Sequence, residues 1–390
     1  MNKKITVLGA GKIGSYIARQ LSVRDNSNDV TVVDPRNIEP ITNVKHYRQK
    51  INPEDTSAGS CFSVKSIVKH TGADLVINAL PGAMGFRVLK EIILAGKHCV
   101  DISFMPEDPT GELRSLAEDK GVSVVVDMGV APGLCGVFVG HEHHHTFSST
   151  ESAIITVGGL PYDPAMGYHA TFSPADIIEE YTRPARLRRH HANITLPALS
   201  DIQPFTMMNH PGDIVAVDIS QGFNVFESFL TDGLRTLLTL PIPNMEERTL
   251  RYVGYADQML ALKKMGCFNK EHLSLTAKML ESIWRPIEPI REFTKMYVVM
   301  HGIDQKGSPL KSELVLSDIT HPPSTATSMA QTTGMPAVAM AEILLGKDWC
   351  SGGGLFTPEE IGKYPRWSDH IYDALIRENI QLTIQRTALK

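Results

Sequence analysis

Three glycines near the start of the chain have the spacing of a phosphate-binding turn. The segment VLGAGKIGSYIA, residues 7–18, passes from an apolar run into a helical pattern through glycines that fit G-x-G-x-x-G. The first glycine of such a turn permits the tight bend, the second lets a pyrophosphate approach the backbone, and the third lets the helix pack closely on the strand. The pyrophosphate lies on the free N–H groups at the helix N-terminus. The spacing therefore predicts a dinucleotide site whose contacts include Gly9, Gly11, Lys12, Ile13 and Gly14.

An acidic residue follows at the sequence spacing that is typical of a ribose-binding carboxylate. Asp34 ends the next β-rich run, twenty residues after Gly14, and its carboxylate can accept hydrogen bonds from a ribose diol. A bare structural turn would need neither this acid nor the glycine spacing, so the combination favours a dinucleotide. The negative charge of Asp34 repels a 2′-phosphate and favours NAD over NADP. Arg36, two residues later, keeps NADP open as an alternative.

Polar residues also end three later β-rich runs. In an open α/β sheet, ligands bind outside the carboxyl ends of the strands, near the point where the strand order reverses. Asp101 and Asp127 end two of these runs, and we expect them to face the nicotinamide end of the dinucleotide as candidate catalytic residues. Helix capping or hydrogen bonding to loop amides is the alternative role, since aspartates often do both. The further cofactor contacts predicted at these strand ends are Asn78, Ala79, Pro81, Asp101 and Ser103.

A block of mixed charge departs most from the average composition. YHATFSPADIIEEYTRPARLRRHH, residues 168–191, places Glu179, Glu180 and Arg183 close together in sequence. An amino-acid substrate needs a guanidinium fork for its carboxylate and an acidic partner for its ammonium, and these three residues offer both. For the run from Arg188 to His191, a solvated, salt-bridged surface is the interpretation that we favour.

A histidine-rich segment matches the sequence pattern of a zinc-binding motif. HEHHH, residues 141–145, fits H-E-x-x-H, in which two histidines on one helix face hold zinc and the glutamate acts as the base. A dinucleotide-binding fold with a substrate domain leaves such a metal no evident task, and an exposed helix end explains the histidines. We therefore predict no metal site.

The secondary-structure elements that must position these residues follow two different patterns along the chain. Residues 1–131 alternate β-rich runs with helical patterns, as in a parallel sheet wrapped by helices, and crossovers of this length are right-handed. Residues 132–324 carry alternating runs such as SAIITVGGL and KMYVVMHGID, which indicate a mainly antiparallel sheet. The predicted fold class is α/β: a Rossmann doubly wound parallel sheet plus an α+β substrate and dimerisation domain. A helical pattern at 324–347 returns the chain to the first domain, which residues 325–390 complete.

Size and composition exclude several classes of protein. A chain of 390 residues exceeds what one core usually supports, which predicts two domains. The formal charge of −5 gives no overall attraction for nucleic acid or an anionic membrane, and no apolar stretch approaches the roughly 20 residues of a membrane span. The start of the chain lacks a signal-peptide pattern, so a cytoplasmic protein is expected. The five cysteines are scattered and suggest neither a disulfide framework nor a zinc site.

Several longer segments resemble the saccharopine dehydrogenase-like family, and within it the L-lysine 6-dehydrogenase (lysine ε-dehydrogenase) branch. The APG turn and the EEYTRPA block carry the resemblance most specifically, and it extends over nearly the whole chain. Departures from the family pattern occur at Met128 and at Leu134-Cys135-Gly136, beside the expected cleft. The segments that carry the resemblance are residues 74–108, 124–134, 157–161, 171–185, 231–238, 249–259 and MAQTTGMPAVAMAEILLG near the end.

The resemblance implies an NAD(P)-dependent oxidoreductase that acts on the C–N bond of a lysine-derived amino acid. In the lysine 6-dehydrogenase branch, a hydride leaves the ε-carbon and the resulting imine is hydrolysed to a semialdehyde. Two alternatives are a saccharopine dehydrogenase or reductase and a carboxynorspermidine-type imine reductase. An alternative of another class is a non-catalytic protein that senses NAD or acts as a scaffold. The partners expected are a small amino-acid substrate and further copies of the chain in a homodimer or higher homo-oligomer, with no nucleic acid and no membrane.

Amine oxidation assigns roles to the charged candidates. Hydride transfer requires a neutral nitrogen, so a base must remove the ammonium proton, and Asp127 or Asp101 is the predicted base. Arg183 or Arg235, beside Thr236, is predicted to hold the substrate carboxylate, and Glu179 or Glu180 to place an amine. The further candidates for proton transfer are Tyr168, His169 and Tyr181.

Overall fold

The chain divides into two units. The computed structural model describes residues 2–52, 63–163, 168–206, 226–286, 288, 290–320, 326–347, 349 and 352–390. The first unit comprises Met1–Val137 and Thr333–Ala374, and the second comprises Phe138–Thr332 and Leu375–Lys390.

A parallel sheet forms the centre of the first unit. Its strand order in the described part of the chain is β15-β6-β5-β4-β1-β2-β3, and all neighbouring pairs are parallel. The order reverses beside β1, which is where open α/β sheets bind their ligands. The Rossmann part of the predicted fold class is therefore confirmed. The strands are β1 (Lys4–Leu8), β2 (Asp29–Val33), β3 (Val44–Tyr47), β4 (Leu75–Asn78), β5 (His98–Asp101), β6 (Ser123–Val125) and β15 (Gly354–Phe356).

Helices alternate with these strands, and the strands are apolar because they are buried. β4 is buried at every position and β1 at its last four, as expected for strands that are covered on both faces. Leu8, Val76 and Val124 belong to one core cluster with side chains from the surrounding helices. The helices that lie wholly or partly in this unit are α1 (Lys12–Arg24), α2 (Val64–Thr71), α3 (Gly82–Leu94), α4 (Glu112–Lys120), α5 (Leu134–His141), α9 (Ser328–Leu345), α10 (Pro358–Gly362) and α11 (Pro365–Arg377).

A mainly antiparallel sheet forms the second unit, as predicted. Its main path is β10-β11-β12-β7-β13-β14-β16, with the β8–β9 hairpin attached to β12. Among the described strands of this sheet, β12 and β7 form the parallel pair. Helices α6 (Pro174–Thr182), α7 (Tyr255–Lys264) and α8 (Leu273–Ile283) belong to this unit. The strands are β7 (Phe147–Pro161), β8 (Ala185–Arg189), β9 (Ala192–Leu196), β10 (Gln203–Phe205), β11 (Phe226–Leu230), β12 (Asn244–Tyr252), β13 (Glu292–Asp304), β14 (Pro309–Ile319) and β16 (Gln381–Ala388).

The C-terminal strand differs from the predicted domain organisation. We predicted that 325–390 complete the first domain, but only Thr333–Ala374 belong to the first unit. β16 pairs antiparallel with β14 through eight residue pairs, from Leu310 with Ala388 to Ser317 with Gln381. An ion pair reinforces this placement, because Arg386 donates two hydrogen bonds to the buried Glu142 carboxylate at 2.6 and 3.0 Å. Strand pairing and this ion pair place the last residues in the second unit.

Two further findings concern the membrane and the cysteines. Every helix within the described residues is too short or too polar to cross a bilayer. Cys61 and Cys350 lie outside the described residues, and the other three cysteines take part in no disulfide bond within the described part of the chain.

Replacing Arg386 with alanine tests how β16 is held. The change leaves the Glu142 carboxylate buried without its guanidinium partner, and we expect the free energy of unfolding to fall by about 1–3 kcal/mol in urea denaturation. Adding Glu142→Gln should recover part of that loss, because a neutral amide costs less to bury than a carboxylate. If the double variant is no more stable than Arg386→Ala, the ion pair does not anchor β16.

Candidate functional site

The glycine turn has the backbone geometry of an anion site. Gly9 follows β1 with a φ of 95°, a conformation that favours glycine. Gly11 stands at the N-cap of α1, and no side chain among the described residues caps that end. Lys12 and Ile13 are the first two residues of α1, so their N–H groups lack carbonyl partners within the helix. This helix N-terminus can hold the pyrophosphate of a dinucleotide.

Close packing explains two of the three glycines. A Cβ on Gly14 would lie 2.1 Å from the carbonyl oxygen of Gly9, and one on Gly9 would lie 2.7 Å from the carbonyl oxygen of Ala79. Space around a Cβ on Gly11 is open to 4 Å. The first and third glycines therefore bring strand and helix together, and the second leaves the backbone open to a ligand.

Asp34 links the end of β2 to the glycine turn. It accepts a hydrogen bond from the Ala10 N–H at 2.9 Å and two from the Arg36 guanidinium at 2.8 and 2.9 Å. Burial by itself would raise the pKa of Asp34, but these hydrogen bonds outweigh it and lower the pKa to about 2. Asp34 is thus a permanent carboxylate, and it neutralises the Arg36 side chain, which is 66% exposed.

A buried hydrogen-bond network connects the carboxyl ends of β4 and β5. The Asn78 amide donates to Asp101 at 2.5 Å, and Ser103 donates to Asp101 through its N–H at 2.9 Å and its hydroxyl at 2.8 Å. Burial raises the pKa of Asp101 to about 8, and the charge of Asp127 adds to the rise, against the opposing effect of the Ser103 and Asn78 hydrogen bonds. A carboxyl group with a pKa near neutrality is suited to proton transfer.

Asp127 lies at the same edge of the sheet, just after β6. Its φ of 55° is unusual for a residue other than glycine, and its surface is 2% exposed. The Met128 N–H donates to the Asp101 carbonyl oxygen at 2.9 Å, which fixes the end of β6 against the end of β5. The structure therefore brings Asp101 and Asp127 close enough for the charge of Asp127 to act on Asp101.

The predicted substrate residues on α6 separate into two pairs. Glu179 forms an ion pair with Arg183 at 3.2 Å on the same helix, and its side chain is 46% exposed. Glu180 instead forms an ion pair with Arg251 of β12 at 2.5 Å, where the Arg251 side chain is 2% exposed. The two neighbouring glutamates therefore have different partners and different surroundings.

Aromatic side chains surround Arg251. Its guanidinium carbon lies 4.7 Å from the centre of the Tyr168 ring and 5.9 Å from that of Tyr255. Tyr181 is fully buried, and its hydroxyl lies 3.1 Å from the Tyr255 hydroxyl. Burial raises the pKa of each of these tyrosines, so all three phenols keep their protons at ordinary pH.

The loop that carries Arg235 is anchored on a second buried glutamate. Arg235 and Thr236 begin a 3₁₀ turn and are 7% and 8% exposed. Just before this turn, the Thr231 hydroxyl donates to Glu247 of β12. Burial, opposed by the Thr231 hydrogen bond and supported by the charges of Glu180 and Asp232, raises the pKa of Glu247 to about 7. Negative charge therefore accumulates on this side of β12.

His169 lies in a different buried network of the second unit. Its Nε2 is 3.1 Å from Glu292 of β13, and Glu292 also accepts the Met329 N–H at the start of α9 at 3.0 Å. Glu292 thus holds the imidazole and also accepts a hydrogen bond from the first turn of the helix.

The histidine-rich segment forms a π-helical turn, Glu142–Thr146, after α5. Glu142 is held by Arg386, so it does not act as the base that the zinc motif requires. Within the described ranges, no three His, Cys, Asp or Glu side chains converge as metal ligands. In the basic run, Arg189 forms ion pairs with Asp201 and Glu246, which supports a salt-bridged surface.

Sequence reasoning missed Arg251, Glu247 and Glu292. All three are charged residues in largely buried strands: Arg251 and Glu247 lie on β12, and Glu292 is the first residue of β13. A charge in a buried strand is itself a signal, because such a group is rarely buried without a partner. Which residue becomes the partner of each charge on β12 depends on the packing of α6 and β11 against this strand.

Comparisons with known proteins agree with this architecture. Residues 5–125 match the family model described as the saccharopine dehydrogenase NADP binding domain, and residues 129–380 match the saccharopine dehydrogenase C-terminal domain. The expected cofactor is thereby confirmed at the level of NAD(P).

The proteins that match this chain in sequence are longer than it is. The mitochondrial alpha-aminoadipic semialdehyde synthase of Mus musculus is 26% identical over 281 residues, which cover 69% of this chain and 29% of that protein. The saccharopine dehydrogenase [NADP(+), L-glutamate-forming] of Pyricularia oryzae is 25% identical over 185 residues, 45% of this chain and 39% of that protein. The chain thus spans well under half the length of these relatives.

A solved structure shows the same fold. The apo saccharopine dehydrogenase (L-Glu forming) of Saccharomyces cerevisiae superposes with a TM-score of 0.72 at 17% identity, over 99% of this chain and 100% of that one. At this identity the similarity establishes the fold class.

Alanine substitutions at two of the glycines should have different effects. Gly14→Ala forces a Cβ against the Gly9 carbonyl oxygen, and we expect it to cost about 1–3 kcal/mol of unfolding free energy and to impair dinucleotide binding. Gly11→Ala meets open space, so we expect an unchanged melting temperature and NAD binding weaker by about tenfold, equivalent to about 1.4 kcal/mol. Calorimetry and a thermal melt measure both quantities. Equal destabilisation by the two variants would contradict the separate roles.

Proposed function

The chain belongs to the saccharopine dehydrogenase family, and from that premise we propose that it is an NAD(P)-dependent oxidoreductase acting on a C–N bond of a lysine-derived amino acid. The observation that carries this proposal is the Asp101–Asp127 pair at the carboxyl edge of the parallel sheet, beside the glycine turn. Burial and like charge raise the pKa of Asp101 to about 8, which suits a group that exchanges a proton with an amine.

The specific reaction that we propose is the oxidation of the ε-carbon of L-lysine, as in L-lysine 6-dehydrogenase. Its support is the resemblance of the segments around the APG turn and the EEYTRPA block. The nicotinamide group accepts the hydride when it is bound. Asp101 or Asp127 accepts the ammonium proton, so that the nitrogen lone pair can form the C=N bond as the hydride leaves. Water then adds to the imine, and ammonia and an aldehyde are released.

Residues of the second unit are proposed to bind the amino acid. The candidates are Glu179, Glu180, Arg183, Arg235 and Thr236, with Tyr168, His169 and Tyr181 as further candidates for proton transfer. Among the three proton-transfer candidates, His169 has the environment closest to that of a base, because Glu292 holds one of its ring nitrogens. Burial raises the pKa of both tyrosines, so both phenols keep their protons and are not available to accept one from the substrate.

NAD is the cofactor that we propose over NADP. The Asp34 carboxylate remains ionised at working pH because its pKa is about 2, and its charge opposes a 2′-phosphate. Arg36 is the residue that could bind such a phosphate, but Asp34 already neutralises it. The proposed cytoplasmic location and homodimeric state rest on the sequence alone.

A second candidate is formation or cleavage of a secondary amine, as in saccharopine-type enzymes. The name of the Pyricularia oryzae relative favours it. The central experiment supplies NAD or NADP with L-lysine, saccharopine and polyamine precursors, and NADH or NADPH with pairs of amines and aldehydes. Oxidation of L-lysine with NAD supports the proposal, and turnover of amine and aldehyde pairs alone supports the second candidate. NADH binding without turnover of any substrate would indicate a sensor or scaffold.

Asp127→Asn tests the proposed base. If Asp127 accepts the ammonium proton, turnover of lysine should fall by about a hundredfold or more, since an amide cannot take that proton. The dissociation constant of NADH should stay unchanged, and its measurement serves as the control. Near-normal turnover would remove Asp127 from the mechanism.

The pH profile tests Asp101. A base works only when it is ionised, so a pKa of about 8 predicts that kcat/KM rises with pH and levels off above about 8. Ionisation of the substrate ammonium produces a second limb of the pH profile, near a pKa of about 10.4. Asp101→Asn should remove the lower limb and leave the upper one. Persistence of the lower limb in that variant would show that another group produces it.

A further inference from the structure

The C-terminal strand β16 forms one edge of the second sheet. It pairs antiparallel with β14 on one side, and no other described strand pairs with it on the opposite side. Its residues from Thr383 to Ala388 are exposed. One row of backbone N–H and C=O groups therefore points away from the sheet, and such a row can pair with a strand of another chain.

β16 lacks the features that usually protect an edge strand. Proteins block such edges with very short strands, proline, β-bulges or charged side chains. β16 has eight residues, against a usual strand length of about five or six, and its sequence QLTIQRTA contains no proline. Its register with β14 runs without a bulge from Gln381 to Ala388. This edge is therefore suited to pairing.

The single charged side chain of β16 is neutralised within its own chain. Arg386 donates two hydrogen bonds, of 2.6 and 3.0 Å, to the carboxylate of the buried Glu142. The Arg386 guanidinium also lowers the pKa of Glu142 from its usual value, which keeps this carboxylate ionised. Two copies of β16 can therefore approach each other without the repulsion that like charges on facing strands cause.

The sequence of β16 is complementary to itself in an antiparallel pair. Residues that lie opposite each other in a β-ladder share a face of the sheet, so the two-fold axis lies between two copies of one residue. When that residue is Ile384, Thr383 lies opposite Gln385 of the other copy. On the other face, Leu382 lies opposite Arg386, whose methylene groups can pack on it. Hydroxyl and amide groups thus meet on one face and apolar groups on the other.

The centre of this edge carries apolar surface. The Ile384 side chain is 37% exposed, although it lies on the same face of the sheet as the buried Leu314 of β14. A second β16 would cover Ile384 with its own copy and would also provide partners for the outward backbone groups. Both gains come from the same strand of the same chain.

We propose that two copies of this chain associate through antiparallel pairing of β16 with β16, which joins their second sheets into one continuous sheet. A strand that pairs antiparallel with its own copy is two-fold symmetric, so the contact closes as a dimer. This inference rests on the homodimeric state proposed above and assigns it a surface. It does not depend on the reaction that the chain catalyses.

A lysine at the two-fold position tests the contact. Ile384→Lys places two like charges opposite each other, so the dissociation constant of the dimer should rise by about a hundredfold or more. Analytical ultracentrifugation of the full chain over a range of concentrations measures this constant. Ile283→Lys makes the same change at an exposed isoleucine of α8, and this matched control should leave the dissociation constant unchanged.

Engineered cysteines test the register. Ile384→Cys should form a disulfide with its own copy under mild oxidation, because opposite Cα atoms in an antiparallel ladder lie about 4.5–5.5 Å apart. Thr383→Cys and Gln385→Cys should each give no cross-link alone and should cross-link when the two proteins are mixed. A non-reducing gel shows the products, and the unmodified protein gives the background from the native cysteines.

The outcomes separate the surface from the dimer itself. A chain that is monomeric at every concentration would remove both the homodimeric state and this surface. A dimer that Ile384→Lys leaves intact, or that Ile283→Lys weakens instead, would keep the homodimeric state and overturn the β16 contact. If a thermal melt shows that Ile384→Lys damages the fold, the cysteine variants decide, and absence of their selective cross-links would overturn the proposal. Turnover of L-lysine is measured separately and bears only on the proposed reaction.

Discussion

The approach of α1 to the end of β1 is the constraint on which the first unit depends. A Cβ at Gly14 would lie 2.1 Å from the Gly9 carbonyl oxygen, so helix and strand meet at a distance that a side chain would prevent. This contact directs the helix N-terminus toward the carboxyl edge of the sheet. Asp34, Asn78, Asp101 and Asp127 end their strands at that edge or lie just past it. The residues proposed to bind the dinucleotide and to transfer a proton are therefore placed together by backbone geometry.

Environment gives two buried carboxylates at the same edge of the parallel sheet opposite properties. Both Asp34 and Asp101 are buried, yet Asp34 has a pKa of about 2 and Asp101 one of about 8. Arg36 and backbone N–H groups stabilise the charge of Asp34, whereas Asp101 meets neutral donors and the like charge of Asp127. One carboxylate is thus kept as a fixed charge and the other is prepared to exchange a proton, a division of roles that environment alone produces.

Three carboxylates of the second unit are each held by a guanidinium. Glu180 with Arg251, Asp232 with Arg186, and Glu142 with Arg386 each hold a carboxylate against a guanidinium. The first pair differs in that the Nε of Arg251 is buried without an acceptor among the described residues.

Local patterns in the sequence determined the alternation of strands and helices, the glycine turn and the acids at the strand ends, because each depends on residues close together in the chain. The parallel and antiparallel sheets followed from the hydrophobic periodicity. The placement of β16 did not, because an exposed strand with a weak pattern is assigned by its partner β14 and by the Arg386–Glu142 pair. Nor did the ion-pair partner of Glu180: Arg183 lies only three residues away in the sequence, but the fold supplies Arg251, 71 residues later. Only the tertiary structure decides which distant charges meet, because a buried carboxylate takes the guanidinium that chain packing brings to it.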